Sequence, residues 1–289
     1  MGRIVRAIAK DASVVCSAID GKDIAARIEE IHKPSAVVTA ALGRLALGTS
    51  LMGFGLKGKD DTITVRLDGD GPAGMMICVA DSYGNVKADV MNPVVEIPAN
   101  SAGKLDVKGA VGTEGTLSVI KDMGLKEPYS GQCELKTGEI AEDLTYYFAT
   151  SEQIPSAVGL GVLVDKDLSV KEAGGFIIQL MPFTPDEVID KLEKKISEID
   201  SVTKMLERGL TPEQILEEIL GEFGLEITDK MDTAFRCDCS KERISRAIST
   251  LSKKDLDDII ADGESIEVKC QFCNTAYNFD IDELKELRK

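Results

Sequence analysis

The sequence predicts an α+β fold in three pieces: an N-terminal core domain of mixed sheet and helix over residues 1–182, a helical linker over 183–230, and a small C-terminal four-cysteine domain over 231–289. Three observations carry this. Strand-like runs arrive together in the first piece with helices segregated from them, the pattern of α+β rather than α/β proteins. After Pro182 the texture changes to amphipathic helical periodicity. Four of the seven cysteines then crowd into the last fifth of the chain.

Taken in order, residues 4–9 and 14–19 read as a short strand pair, and 24–31 as a helix. The apolar stretch over 36–56 is long enough to be mistaken for a membrane span. Arg44 lies inside it and Gly43, Gly48, Gly53 and Gly55 dilute it, so it reads as a buried core helix. Alternation follows, with Ile63, Val65 and Leu67 on one face, and further β-like runs at 75–80, 117–121, 158–164 and 175–180. Gly69-Asp70-Gly71-Pro72 and Tyr83-Gly84-Asn85 mark turns. Beyond Pro182, Thr184-Pro185-Asp186-Glu187 and Thr211-Pro212-Glu213-Gln214 each read as a capped helix start. Val188, Leu192, Ile196, Ile199, Val202 and Leu206 form one apolar stripe that stops at Gly209, and Ile215, Leu216, Ile219 and Leu220 form a second. The first stripe reads as one long helix and the second as a shorter one; such segments are marginal alone, so both stripes must lie against another part of the chain. In the tail, a helix through Ile244 and Leu251, a second over 253–260, a hairpin over 266–279 and a last helix from Asp280 complete the reading.

Composition narrows the function. Lys and Arg number 34 against 50 Asp and Glu, a formal charge of −16, which disfavours electrostatically driven nucleic-acid binding. The single histidine, His32, excludes metal sites built from several imidazoles within one chain. It reads as a solvated helix end. No sustained apolar stretch follows Met1, so no secretory signal and no membrane association are expected, and the protein is expected in the cytoplasm, where thiols stay reduced. Cys16, Cys78 and Cys133 fall in or near β-like runs and read as inert packed thiols. The glycines over 69–74 lack a P-loop lysine and hydroxyl and read as a turn, and Ser151-Glu152-Gln153 has no histidine partner nearby and reads as structural.

The remaining four are Cys237 and Cys239 in a C-x-C pair, then thirty intervening residues, then Cys270 and Cys273 in a C-x-x-C pair. Two local hooks thus supply four soft ligands, the donor set that zinc takes in a tetrahedron, and Zn2+ is the expected metal. An iron–sulfur cluster and a metal-free dithiol pair are the alternatives. A zinc site that merely staples a tail too small to fold alone is the plainest use of such a centre. Thiolates held by zinc are also the form that peroxide attacks, and ring closure across C-x-C strains a disulfide, which favours a redox role. A nucleic-acid factor using Lys241, Arg243 and Arg246, and an enzyme with a zinc-bound thiolate nucleophile, are the competing classes.

Cys237-Asp238-Cys239-Ser240 with Cys270-Gln271-Phe272-Cys273 resembles the zinc centre of the heat-shock protein 33 family of redox-regulated holdase chaperones. Residues 147–156, 174–182, and Ala110-Val111-Gly112-Thr113 followed by Gly115-Thr116-Leu117 also match family signatures, in the same order along nearly the whole chain. The resemblance implies an ATP-independent, non-enzymatic stress-response chaperone, largely inactive while reduced and zinc-bound. It further implies that oxidants pair Cys237 with Cys239 and Cys270 with Cys273, that zinc leaves, and that the tail and then the linker unfold. Apolar surface then binds unfolding client proteins, and the active form is commonly a homodimer.

Overall fold

Strands β1 (Gly2–Ala9) and β2 (Val14–Asp20) pair antiparallel, as expected from their apolar runs, and lead into helices α1 (Lys22–His32) and α2 (Ala36–Gly53). Strands β3 (Thr62–Gly69), β4 (Met76–Asp81) and β5 (Val86–Val90), helix α3 (Val107–Val111), and strands β6 (Gly115–Asp122) and β7 (Tyr129–Glu134) follow. Helix α4 (Ala141–Tyr147) runs into a π-helical turn, Phe148–Glu152, before the long hairpin of β8 (Ser156–Val164) and β9 (Val170–Leu180). Then come α5 (Asp186–Glu198), α6 (Val202–Glu207), α7 (Pro212–Leu220) and β10 (Leu225–Thr233). These elements belong to the first of two units of this computed structural model, Met1–Arg236, and the second runs from Cys237; residues 1–288 are described.

Two five-stranded antiparallel sheets form the first unit, ordered β10-β1-β2-β9-β8 and β5-β4-β3-β6-β7. Between them runs α2, in which every residue except Ala36 and Arg44 is buried, so the most membrane-like segment of the chain is a core helix. The period-2 alternation expected for β3 is realised: Ile63, Val65 and Leu67 face this core while Thr64 and Arg66 face away. The Gly69–Gly71 turn is structural, because Asp70 accepts from the backbone N–H of Thr113 (2.9 Å) and Glu114 (3.0 Å). Gly112, at φ +87°, has no room for a side chain there, since a Cβ would lie 2.1 Å from the Asp70 carboxylate. Glu152 accepts from the Tyr147 hydroxyl at 3.0 Å and pairs with Lys121, again a structural use.

The first sheet is covered on both faces. Ile4, Ile19 and Ile177 point into the α2 core, whereas Val5, Ala7, Cys16, Ala18, Phe176 and Ile178 point the other way, against Leu192, Val202, Met205, Leu206, Ile215, Leu216, Ile219 and Leu220 of α5–α7. The linker stripes therefore lie on the core sheet. The long first linker helix is broken, however: Ile199 and Ser201 are extended, and α6 restarts after Ser201. Asp200 and Ser201 favour a cap over a helix interior, and Asp200 is held there by Lys204 (3.5 Å) and Arg208 (3.7 Å). Thr211 makes the expected capping box with Gln214, but the Thr184 hydroxyl instead donates to the carbonyls of Ser13 and Met181. Residues 225–233, which straddle the expected linker–tail boundary, form the edge strand β10 antiparallel to β1. Glu226, Asp229, Lys230 and Asp232 give it the charged character that protects a sheet edge. His32 is buried, not solvated: its side chain is 6% exposed and its Nε2 lies 2.9 Å from the Ala88 carbonyl.

The second unit contains α8 (Lys241–Ile248), α9 (Lys253–Ala261), the hairpin β11 (Ile266–Lys269) and β12 (Ala276–Phe279), and α10 (Ile281–Leu287), close to the expected positions. Ser240, Ser252 and Asp280 cap the three helices. Among the described residues its apolar core has four buried members: Ile248, Leu256, Phe279 and Leu284.

Candidate metal centre

Each cysteine hook is placed by local structure. Cys237 and Cys239 lie on an irregular segment that ends where the Ser240 hydroxyl accepts from the Arg243 N–H at 3.3 Å to start α8. Cys270 and Cys273 lie on the β11–β12 turn. There the Cys270 N–H donates to Thr275 O (2.9 Å), the Asn274 N–H donates to Cys270 O (2.8 Å), and Asn274 takes φ +57°. Asparagine tolerates that left-handed conformation better than most residues. The hairpin thus turns both sulfurs toward the first hook.

All four Sγ atoms lie within 4.8 Å of one another, with Cys237–Cys270 at 3.7 Å and Cys239–Cys273 at 3.4 Å. A tetrahedron with metal–sulfur bonds of ~2.3 Å has edges of ~3.8 Å, so four thiolates at these separations fit one tetrahedral ion. Cys270 is buried and the others are half-buried. Burial and neighbouring thiols push Cys237 and Cys239 upward. Cys273 comes down to about 7: burial works against this, but hydrogen bonding with Thr275, Cys239 and Cys237 outweighs it. Sulfurs this close share one negative charge readily and four only with a cation to offset them, which is the chemistry of a divalent metal site.

Two neighbours were missed at the level of sequence. The Tyr277 hydroxyl donates to Cys239 Sγ at 3.1 Å, and Thr275 Oγ1 lies 3.2 Å from Cys273 Sγ. The available signal was their spacing, two and four residues past Cys273, where a strand emerges and alternate residues share a face. Hydrogen bonds of this kind orient metal ligands and tune their basicity. Two of the three basic residues beside the first hook pair with acidic partners, Lys241 with Glu283 and Arg243 with Asp238, which weakens the case for a nucleic-acid patch. Cys16 and Cys78 are buried in the first unit and Cys133 is half-buried on β7, and none of the three is a member of this cluster. Burial pushes Cys16 up to about 12 and Cys133 to about 11, and raises Cys78 as well.

An α+β core with amphipathic helices laid over one sheet, followed by a small unit organised around four thiols, defines a protein class in which a candidate metal centre supports a separate, weakly cored tail. A family model described as Hsp33 protein matches residues 2–280. The chain is 70% identical over 285 residues to the 33 kDa chaperonin of Agathobacter rectalis, covering 99% of each, and 54% identical to that of Lachnoclostridium phytofermentans, covering 98% and 97%. A crystal structure of the 33 kDa chaperonin of Thermotoga maritima superposes with a TM-score of 0.89 at 38% identity, covering 99% of this chain and 97% of that one. The chain belongs to the Hsp33 family of chaperones.

Proposed function

We propose that this protein is a cytoplasmic, redox-regulated, ATP-independent holdase whose switch is Cys237, Cys239, Cys270 and Cys273. The observation that carries the reading is the clustering of these four sulfurs within 4.8 Å in a unit with four buried core residues. Zn2+ bound by the four thiolates supplies the cross-link between the hooks, a stabilisation of ~10 kcal/mol or more in small zinc peptides. A core of this size supplies far less than its own ordering costs.

Oxidation of each hook by one equivalent of peroxide passes two electrons from its two thiolates to the oxidant, which takes up two protons from solvent, leaving one disulfide and two waters. The pairing of Cys237 with Cys239 and of Cys270 with Cys273 is supported by the family likeness. Disulfides no longer serve as thiolate ligands, so the cross-link between hooks is lost and the tail unfolds. The eight buried apolar residues of α5–α7 and the sheet face they cover then become the concealed surface available to unfolding clients. The −16 charge keeps the opened protein soluble, and association into a homodimer is part of the proposed active state.

The test exposes reduced, metal-loaded protein to peroxide under mild heat. Zinc release, loss of four thiols, the disulfide map by mass spectrometry and suppression of client aggregation are followed together. Oxidation that leaves zinc bound and aggregation unchanged overturns the proposal.

A further inference from the structure

Strand β5 forms one edge of the second sheet. The Asp81 N–H donates to Asn85 O (3.0 Å) and the Met91 N–H donates to Met75 O (2.9 Å), so backbone groups at 85 and 91 turn inward toward β4 and its approach. By the two-residue alternation of an antiparallel ladder, Val86, Ala88 and Val90 turn theirs outward. Outward backbone groups on an edge strand are a template for any extended chain.

This edge is covered by the chain itself. The Val86 N–H donates to Ala234 O (3.0 Å) and the Arg236 N–H donates to Val86 O (2.9 Å), a parallel bridge centred on Phe235. The Ala234 N–H donates to Asn85 Oδ1 at 3.2 Å, the Thr233 hydroxyl donates to Gly84 O, and Phe235 packs against the main core. Two residues further along the strand, buried His32 already occupies the Ala88 carbonyl, so the part of this edge that Ala234–Arg236 alone cover is the one at Val86. The cover at Val86 ends at Arg236, immediately before the first cysteine hook.

We infer that the outward edge of β5 is a client-binding site, at which an extended segment of an unfolding protein adds as a strand parallel to β5 once Ala234–Arg236 have left it, with a large apolar side chain in the place of Phe235. The inference rests on the holdase reading and says where the client docks. The intramolecular bridge defines the occupant: it shows that this edge accepts a parallel strand, at Val86, with an aromatic side chain directed onto the core. Recognition through backbone hydrogen bonds with one apolar anchor is the chemistry of β-augmentation, which selects extended chain over folded or helical protein and tolerates many sequences.

The experiment follows amide hydrogen exchange by NMR in the full chain, reduced and zinc-loaded, then oxidised, then oxidised with reduced, carboxymethylated α-lactalbumin, a permanently unfolded probe without free thiols. The Val86 amide exchanges at least about tenfold faster after oxidation and slows again at least about tenfold when the probe binds, while the Lys87 amide, turned toward β4, stays slow throughout. In the reduced protein, Phe235→Ala speeds exchange at Val86 and permits probe binding without oxidation. If oxidised protein suppresses aggregation while Val86 stays slow without probe, or stays fast with probe bound, the edge is not the docking site and the holdase reading stands. An unchanged Val86 rate in Phe235→Ala also overturns the edge proposal. If oxidised protein suppresses no aggregation, the holdase reading falls and the docking site with it.

Discussion

Replacing Leu216 by alanine separates the proposed concealment of apolar surface from the proposed redox chemistry. Leu216 lies on α7 with no exposed surface, packed over the face of β1 and β2 that carries Val5, Ala7, Cys16 and Ala18. Truncating a fully buried leucine costs ~2–5 kcal/mol, depending on how far the surroundings collapse. A middle value of ~3 kcal/mol corresponds to a ~150-fold shift in the equilibrium between docked and detached α7. The substitution leaves all seven thiols in place. Amide exchange over 215–220, binding of an apolar dye, and aggregation suppression are measured in the reduced, metal-loaded variant. Exchange in α7 rises by about two orders of magnitude, dye binding rises, and clients are held without oxidant. If global stability falls by ~3 kcal/mol while α7 exchanges no faster than the β1–β2 core, then α7 opens only with the whole unit. The linker would then be part of the core rather than a detachable cover.

Chelation of the metal from reduced protein abolishes the helical signal of α8–α10 while leaving the sheets of the first unit protected, as circular dichroism and amide exchange will report; a tail that stays folded would remove the stabilising role of the four sulfurs. Glu213, in the first turn of α7, pairs with Arg3 of β1 at 2.9 Å and Lys230 of β10 at 3.0 Å. Burial alone would raise its carboxyl, but the Lys230 contact, local backbone and Thr211 hydrogen bonds and Arg3 hold it below the usual glutamate range. Its contribution is therefore complete above the unfolded-state value and is lost as pH falls through the lower folded value; urea unfolding between about pH 6 and pH 3 shows this loss, and Glu213→Gln removes that part of the pH dependence. Metal-stripped protein with its first unit still folded offers at most four thiols to iodoacetamide near neutral pH and fully denatured protein offers seven, because burial holds Cys16 at about 12 and Cys133 at about 11 and raises Cys78. Tyr277→Phe removes the 3.1 Å hydrogen bond to Cys239 and speeds metal transfer to a chelator by ~10- to 100-fold, with unchanged circular dichroism; an unaltered rate would assign the hydroxyl no part in the site.

The legible features are those in which the informative residues are neighbours in the chain. Cysteine hooks carry their meaning in their own spacing, and hairpins such as β11–β12 carry theirs in alternation bounded by turn residues. The apolar segment over 36–56 was readable as a core helix because Arg44 and its glycines are internal to it. Features set by distant partners were not readable. Strand β5 is five residues long and owes its place to β4 on one side and to residues 234–236 on the other. Strand β10 pairs with β1, more than two hundred residues away in sequence. His32 looked solvated because it follows a helix and precedes Lys33 and Pro34, yet it is buried against the Ala88 carbonyl across fifty-six positions.

The candidate donor set was legible in the composition. Seven cysteines and one histidine leave thiolates as the natural ligands of a metal site within this chain, and local turn and cap residues suffice to present each hook. Folding adds that the two hooks meet, that Tyr277 and Thr275 touch their sulfurs, that the linker lies on the outer face of the first sheet, and that 234–236 occupy the edge of β5. The physical reason is range. Turn and cap propensities act over a few residues, whereas burial of a shared apolar face and the pairing of an open sheet edge depend on which distant segment supplies the missing partner.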